Sequence, residues 1–127
     1  MSNMTYMTDA WMITCIVASG TGQADKVLLA ARDAGVTGAI GYHARGFGQR
    51  ERFGVLGIAV EAEKDVRAVL VSSDQRDVVF EAMYKAGGLD RPGAGLMYVT
   101  PVDRVATYIP DSVIDRLKEA GQWNPAS

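Results

Sequence analysis

The sequence predicts an α+β domain of the ferredoxin-like, split βαβ kind, with element order βαββαβ and an antiparallel sheet. Three observations carry this. A strand–helix–strand pattern occurs twice, the helices of the two copies align residue by residue, and 127 residues suffice for one domain with one core.

In the first copy "MITCIVA" (12–18) is a β-rich apolar run that ends at the turn "SGTG". Val27, Ala30, Ala31 and Ala34 then recur at helical spacing, and Gly35 stops the helix. "TGAIGYHA" (37–44) reads as the returning strand. In the second copy "VRAVLVSS" (66–73) is a strand, and Asp74 is the expected N-cap. Val79, Ala82, Met83 and Ala86 repeat the helical spacing, Gly87 repeats the stop, and "GLMYVTP" (95–101) returns. In this fold two helices cover one sheet face and leave the other bare. A bare apolar face marks an association surface, so a closed oligomer with its sheets packed inward is expected.

The core is assigned to residues 12–110, preceded by an N-terminal arm (1–11) that is flexible or loosely docked. Residues 111–127 form a C-terminal helix and tail, with an Asp N-cap, apolar Val113, Ile114 and Leu117, and a Gly121 stop. That short amphipathic helix is expected to pack on its own subunit.

Composition narrows the function. Hydrophobic residues make up 48% and charged residues 22%, ordinary for a soluble globular chain. Thirteen Lys+Arg against fifteen Asp+Glu leave a formal charge of −2, without the basic excess of a nucleic-acid binder. Any grip on an anion must be local. Cys15, the single cysteine, excludes an internal disulfide and reads as a buried strand residue. The uncharged stretch Ala10–Ala24 is too short to span a bilayer, and no basic residue precedes Lys26, so a cytoplasmic location is expected.

Between the halves, "GYHARGFGQRERFG" (41–54) places three arginines and four glycines around the lone His43. The excursion runs over about 45–64, where two to six residues are usual, and such a long polar loop points to recognition. A second glycine-rich turn, "GGLDRPGAG" (87–95), stands at the corresponding place in the other half. It can wrap an anion with backbone N–H groups, or it can be only a tight turn.

The order of these pieces resembles the PII signal-transduction family of nitrogen-regulatory proteins, over residues 12–109. "RGFG" (45–48) resembles the start of the family's T-loop, and "GAGLMYVTPVDR" (93–104) its B-loop and following strand. The resemblance implies a homotrimer that binds an adenine nucleotide between subunits and signals through the T-loop to a membrane transporter or metabolic enzyme. Carried onto this chain, it implies a ligand site of Gly46, Gly48, Gln49, Arg50, Val71, Arg91, Gly93, Ala94 and Gly95. Arg45, Arg50, Glu51, Arg52 and Phe53 would form the partner-binding T-loop. Arg91 stands where the family has a B-loop lysine. Val71 matches a residue whose main chain touches adenine.

Departures from the family shift the expected ligand. Leu96 replaces the lysine after the glycine turn, Thr107 and Ile109 replace phosphate-binding arginines, and the order Gln49-Arg50 is reversed. Each lost charge-assisted contact is worth ~1.5–3 kcal/mol, so AMP, ADP or cyclic AMP fits better than ATP, and bicarbonate is a further candidate. The loop carries no tyrosine for nucleotidylation. No obligatory cofactor, no metal and no catalytic residue is assigned, and the protein is expected to be neither membrane-inserted nor a nucleic-acid binder. Recruitment to the inner face of a membrane would come through a partner.

Two other function classes stay open: a small nucleotide hydrolase on the same fold, and a metal-responsive or structural trimer. His43 has no carboxylate, cysteine or second histidine at matching spacing and reads as a strand-end polar residue. "GTG" (20–22) imitates a dinucleotide fingerprint but has Asp25 at its third glycine position, and it is set aside.

Overall fold

Alternation along the central strands sorts side chains between a face covered by α-helices and an opposite face that keeps several large apolar side chains exposed. The computed structural model describes residues 5–45, 63–108, 110–119 and 123–125. They form β1 (Thr5–Met7), β2 (Ala10–Ala18), α1 (Gln23–Asp33), β3 (Ala39–Arg45), β4 (Glu63–Val71), α2 (Ser73–Gly87), β5 (Gly95–Val102), α3 (Asp111–Glu119) and β6 (Trp123–Pro125). The main sheet has the order β3-β4-β2-β5, and every neighbouring pair is antiparallel. Strand β4 lies between β2 and β3, so the two βαβ units interleave: this is the ferredoxin-like fold that the repeat predicts.

Ile13, Cys15 and Val17 of β2 and Val69 and Val71 of β4 face the helices, where Val27, Ala31, Val79 and Met83 close the core. Burying each such side chain contributes about 1.5–3 kcal/mol. Burial also pushes the Cys15 thiol up to about 11, which keeps it protonated and inert. On the other face Ile40, Tyr42, Leu70 and Tyr98 remain exposed.

Both helices end in the same device. Gly35 adopts φ 108° after α1, and Val36 N–H donates to the Ala31 carbonyl at 3.0 Å. After α2 it is Gly88, at φ 62°, that plays this part, with Leu89 N–H donating to the Tyr84 carbonyl at 3.3 Å. The expected stop at Gly87 therefore moves one residue on. Gly87 is the last helical residue and is buried against α1, where a Cβ would meet Val27 Cγ2 at 3.2 Å.

Helix starts and strand limits also differ from expectation: β3 runs over 39–45 rather than 37–44, and β4 over 63–71 rather than 66–73, because Ser72 and Ser73 open α2. Ser72, not Asp74, caps α2: its backbone is extended, and its N–H donates to Gln75 Oε1 at 3.4 Å. Asp74 sits in the first turn, where its carboxylate accepts the Ser72 hydroxyl and favours the helix dipole. In α3 Asp111 likewise lies inside the first turn, and the Pro110 carbonyl accepts from Val113 and Ile114 N–H. Strand β2 starts at Ala10 rather than residue 12, with Ala10 buried. Within the segment read as an arm, β1 pairs with β6, and Met7 bridges Val105. Among the described residues no helix is long and apolar enough to cross a membrane.

Candidate functional site

Two glycine-rich corners meet at one end of the sheet. The turn after β2 holds Gly20 and Gly22 at φ 79° and 80°, and delivers the chain into α1. The turn after α2 holds Gly88 and Gly93 at φ 62° and 75°, and delivers it into β5. Because α1 begins where α2 ends, the two turns border one cavity of about 450 Å³. Ala18, Thr21, Gln23 and Lys26 line it from the first corner, and Gly87 and Arg91–Ala94 from the second.

The walls are built by short-range bonds. Thr21 Oγ1 donates to the Ala18 carbonyl at 3.0 Å and accepts from Gln23 N–H at 3.3 Å. Gln23 Nε2 donates across to the Gly87 carbonyl at 3.4 Å, tying the corners together. Its Oε1 is buried without a partner among the described residues. Successive turns shape the second corner, with Arg91 N–H on the Gly88 carbonyl (3.3 Å) and Ala94 N–H on the Arg91 carbonyl (3.2 Å). Arg91 Nε donates to the same Gly88 carbonyl at 3.2 Å, folding the side chain back over the turn. A Cβ on Gly88 would collide with that guanidinium. At Gly95, φ is 146° and a Cβ would strike the Ile16 carbonyl oxygen, so only glycine lets β5 join β2 there. Lys26 and Arg91 make the cavity locally cationic in a chain of net charge −2.

The expected ligand residues separate into three groups. Arg91, Gly93 and Ala94 line the cavity, whereas Gly95 is not part of its lining and opens β5. Val71 does not join them within one protomer. It pairs with Trp11, whereas Gly95 pairs with Val17, six residues along β2 and roughly 20 Å away at ~3.3 Å per residue. Its side chain is buried in the core. Gly46, Gly48, Gln49, Arg50, Glu51, Arg52 and Phe53 lie outside the described residues, and Arg45 is the last residue of β3, paired with Glu63.

Sequence reasoning missed Thr21, Gln23 and Lys26. Their signal is the "GTG" turn itself, a βα corner that delivers the chain into α1 beside the cavity. His43 has no carboxylate at matching spacing in the sequence, yet Asp65 stands opposite it across the β3–β4 pair, with Nδ1 2.5 Å from Oδ1. Asp65 is buried and also accepts the Ser19 hydroxyl at 3.2 Å.

No protein-family model and no curated protein matches the sequence. Among solved structures the chain is similar to a crystal structure of Arabidopsis thaliana PII bound to citrate. The TM-score is 0.58 at 22% identity, and the match covers 76% of this chain and 79% of that one. At that identity the likeness establishes a shared fold: the chain has a PII-like ferredoxin fold.

Proposed function

We propose that this protein is a PII-type regulator without a reaction of its own, which takes a small anion at the glycine corner. An adenine nucleotide (AMP, ADP, ATP or cyclic AMP) is the favoured effector, with bicarbonate as a smaller alternative. One observation carries the reading: Lys26 and Arg91 flank a cavity walled by two glycine turns, one of them the predicted B-loop. The PII structure of similar fold holds citrate, itself a small polyanion, which supports anion binding on this scaffold. Two cations suit a mono- or diphosphate better than a triphosphate, in line with the replacement of the family's lysine by Leu96.

The sheet face away from the helices keeps Ile40, Tyr42, Leu70 and Tyr98 exposed around buried Thr14, Val66 and Ala68, which supports self-association, and the resemblance makes a homotrimer the proposed form. In such an assembly Val71 and a glycine corner of different protomers would share one cleft. Residues 45–64, from the last residue of β3 into the start of β4, would carry the response to a membrane transporter or metabolic enzyme at the cytoplasmic side. The effector would act by binding one loop state better than the other.

Titration calorimetry with AMP, ADP, ATP, cyclic AMP and bicarbonate tests this, on a sample whose mass by light scattering should be three protomers. At least one titrant should give a saturable heat, weakened at least tenfold by Arg91→Ala. A monomer with no saturable heat would refute both parts.

A further inference from the structure

A second recess, on the helix side of the edge strand β3, lies away from the glycine corner. Arg67 of β4 stands opposite Gly41 in the β3–β4 register, and its side chain lies flat across β3. A Cβ on Gly41 would stand 2.9 Å from Nη1, 3.0 Å from Cδ and 3.1 Å from Cζ, so the guanidinium occupies the space that a side chain would fill. Nη1 donates to the Val66 carbonyl at 3.1 Å. Nη2 stays 3.7 Å from Asp25 Oδ1, beyond hydrogen-bond length, and the Asp25 side chain is 80% exposed. The guanidinium is thus largely desolvated, its side chain 17% exposed, yet its donors are only partly used among the described residues.

Apolar surface adjoins this cation. A cavity of about 310 Å³ is lined on the helix side by Arg67, Leu28, Ala39, Gly41 and His43, and it shares Leu28 and Ala39 with a second of about 230 Å³. The second continues past Leu29 and Val36 to Arg32. His43 at the rim is tied through Nδ1 to Asp65, so that carboxylate is already engaged. A partly satisfied guanidinium at the head of an apolar trough matches one chemistry: a carboxylate on a hydrocarbon body.

We propose that this trough binds a small apolar monocarboxylate, its carboxylate on Arg67 and its hydrocarbon along Leu28, Ala39, Leu29 and Val36. The site shares no residue with the glycine corner and stands or falls separately from it. Amide and arginine Nε–H NMR titrations with octanoate, acetate and 1-octanol test it on the wild-type protein. Octanoate should give saturable shifts at Leu28, Ala39, Gly41 and Arg67, and bind at least tenfold more tightly than either control. Arg67→Gln should remove at least a tenfold share of that affinity, and Arg91→Ala should leave it intact. Binding of 1-octanol as tight as octanoate would reduce the trough to a greasy surface. Shifts centred on Lys26 and Arg91, or no saturation, would equally overturn the proposal, and these wild-type arms hold even if Arg67→Gln fails to fold.

Discussion

The two ends of the main sheet are built on opposite principles. At the end where β2 begins and β4 finishes, side chains lock the elements together. Asp9 Oδ2 accepts from both the N–H and the hydroxyl of Ser73 at 3.0 and 2.9 Å, supplying a long-range cap to α2. Trp11 lies under the Arg76 guanidinium, 4.4 Å from ring centroid to Cζ, and Ser72 and Gln75 complete the helix start. At the other end, backbone turns with glycines at positive φ surround an open, cationic cavity. One end is closed by side-chain bonds between elements, whereas the other, tied by Gln23 to the Gly87 carbonyl, exposes main chain and leaves room. A fold that must both stay together and admit a ligand can divide those tasks between the two ends of one sheet.

The contrast can be broken most severely at Gly95. Its φ of 146° and the Ile16 carbonyl oxygen against it leave no place for a methyl group. Gly95→Ala should cost more than about 3 kcal/mol or prevent folding altogether, as read by chemical denaturation. A variant of native stability would mean that β5 does not approach β2 this closely.

Midway between the ends, Cys15 reports on the sealed core. Burial raises its thiol from the ordinary value of 9.0 to about 11 in the fold. The folded value is the raised one, so the contribution is intact below pH 9 and is lost as pH climbs through 11. Denaturant midpoints should therefore fall over that interval, and the part due to the thiol should vanish in Cys15→Ala. A Cys15 that reacts readily with a thiol reagent at pH 8 in the native state would contradict the burial.

Asp9→Ala gives the mildest test. Removing the bonds to Ser73 should cost about 1–2 kcal/mol of stability and leave ligand binding at the far corner unchanged. A weakened ligand affinity would show that the two ends are coupled rather than separate.

Periodicity made most of the fold legible. The spacing of Val27, Ala30, Ala31 and Ala34, repeated at Val79, Ala82, Met83 and Ala86, specified two helices of one kind packed on one sheet. Pairing across elements was less accessible. His43 meets Asp65, and Gly41 makes room for Arg67, through the register of an antiparallel pair that flanks a long excursion. Nothing in local spacing sets that register. The adjacency of "SGTG" and "GGLDRPGAG" arises only when the start of α1 and the end of α2 are brought side by side. Single-residue limits failed for a simpler reason: "SSD" (72–74) offers three capping residues in a row, and Asp9, far away in sequence, decides between them by holding Ser73.

Titrating ADP calorimetrically into the wild-type protein, Asp9→Ala and Arg91→Ala side by side tests the central claim most directly. The predicted result is a saturable heat for the first two and at least a tenfold loss of affinity for the third. Equal binding by all three, or none by the wild type with any of the anions, would contradict it.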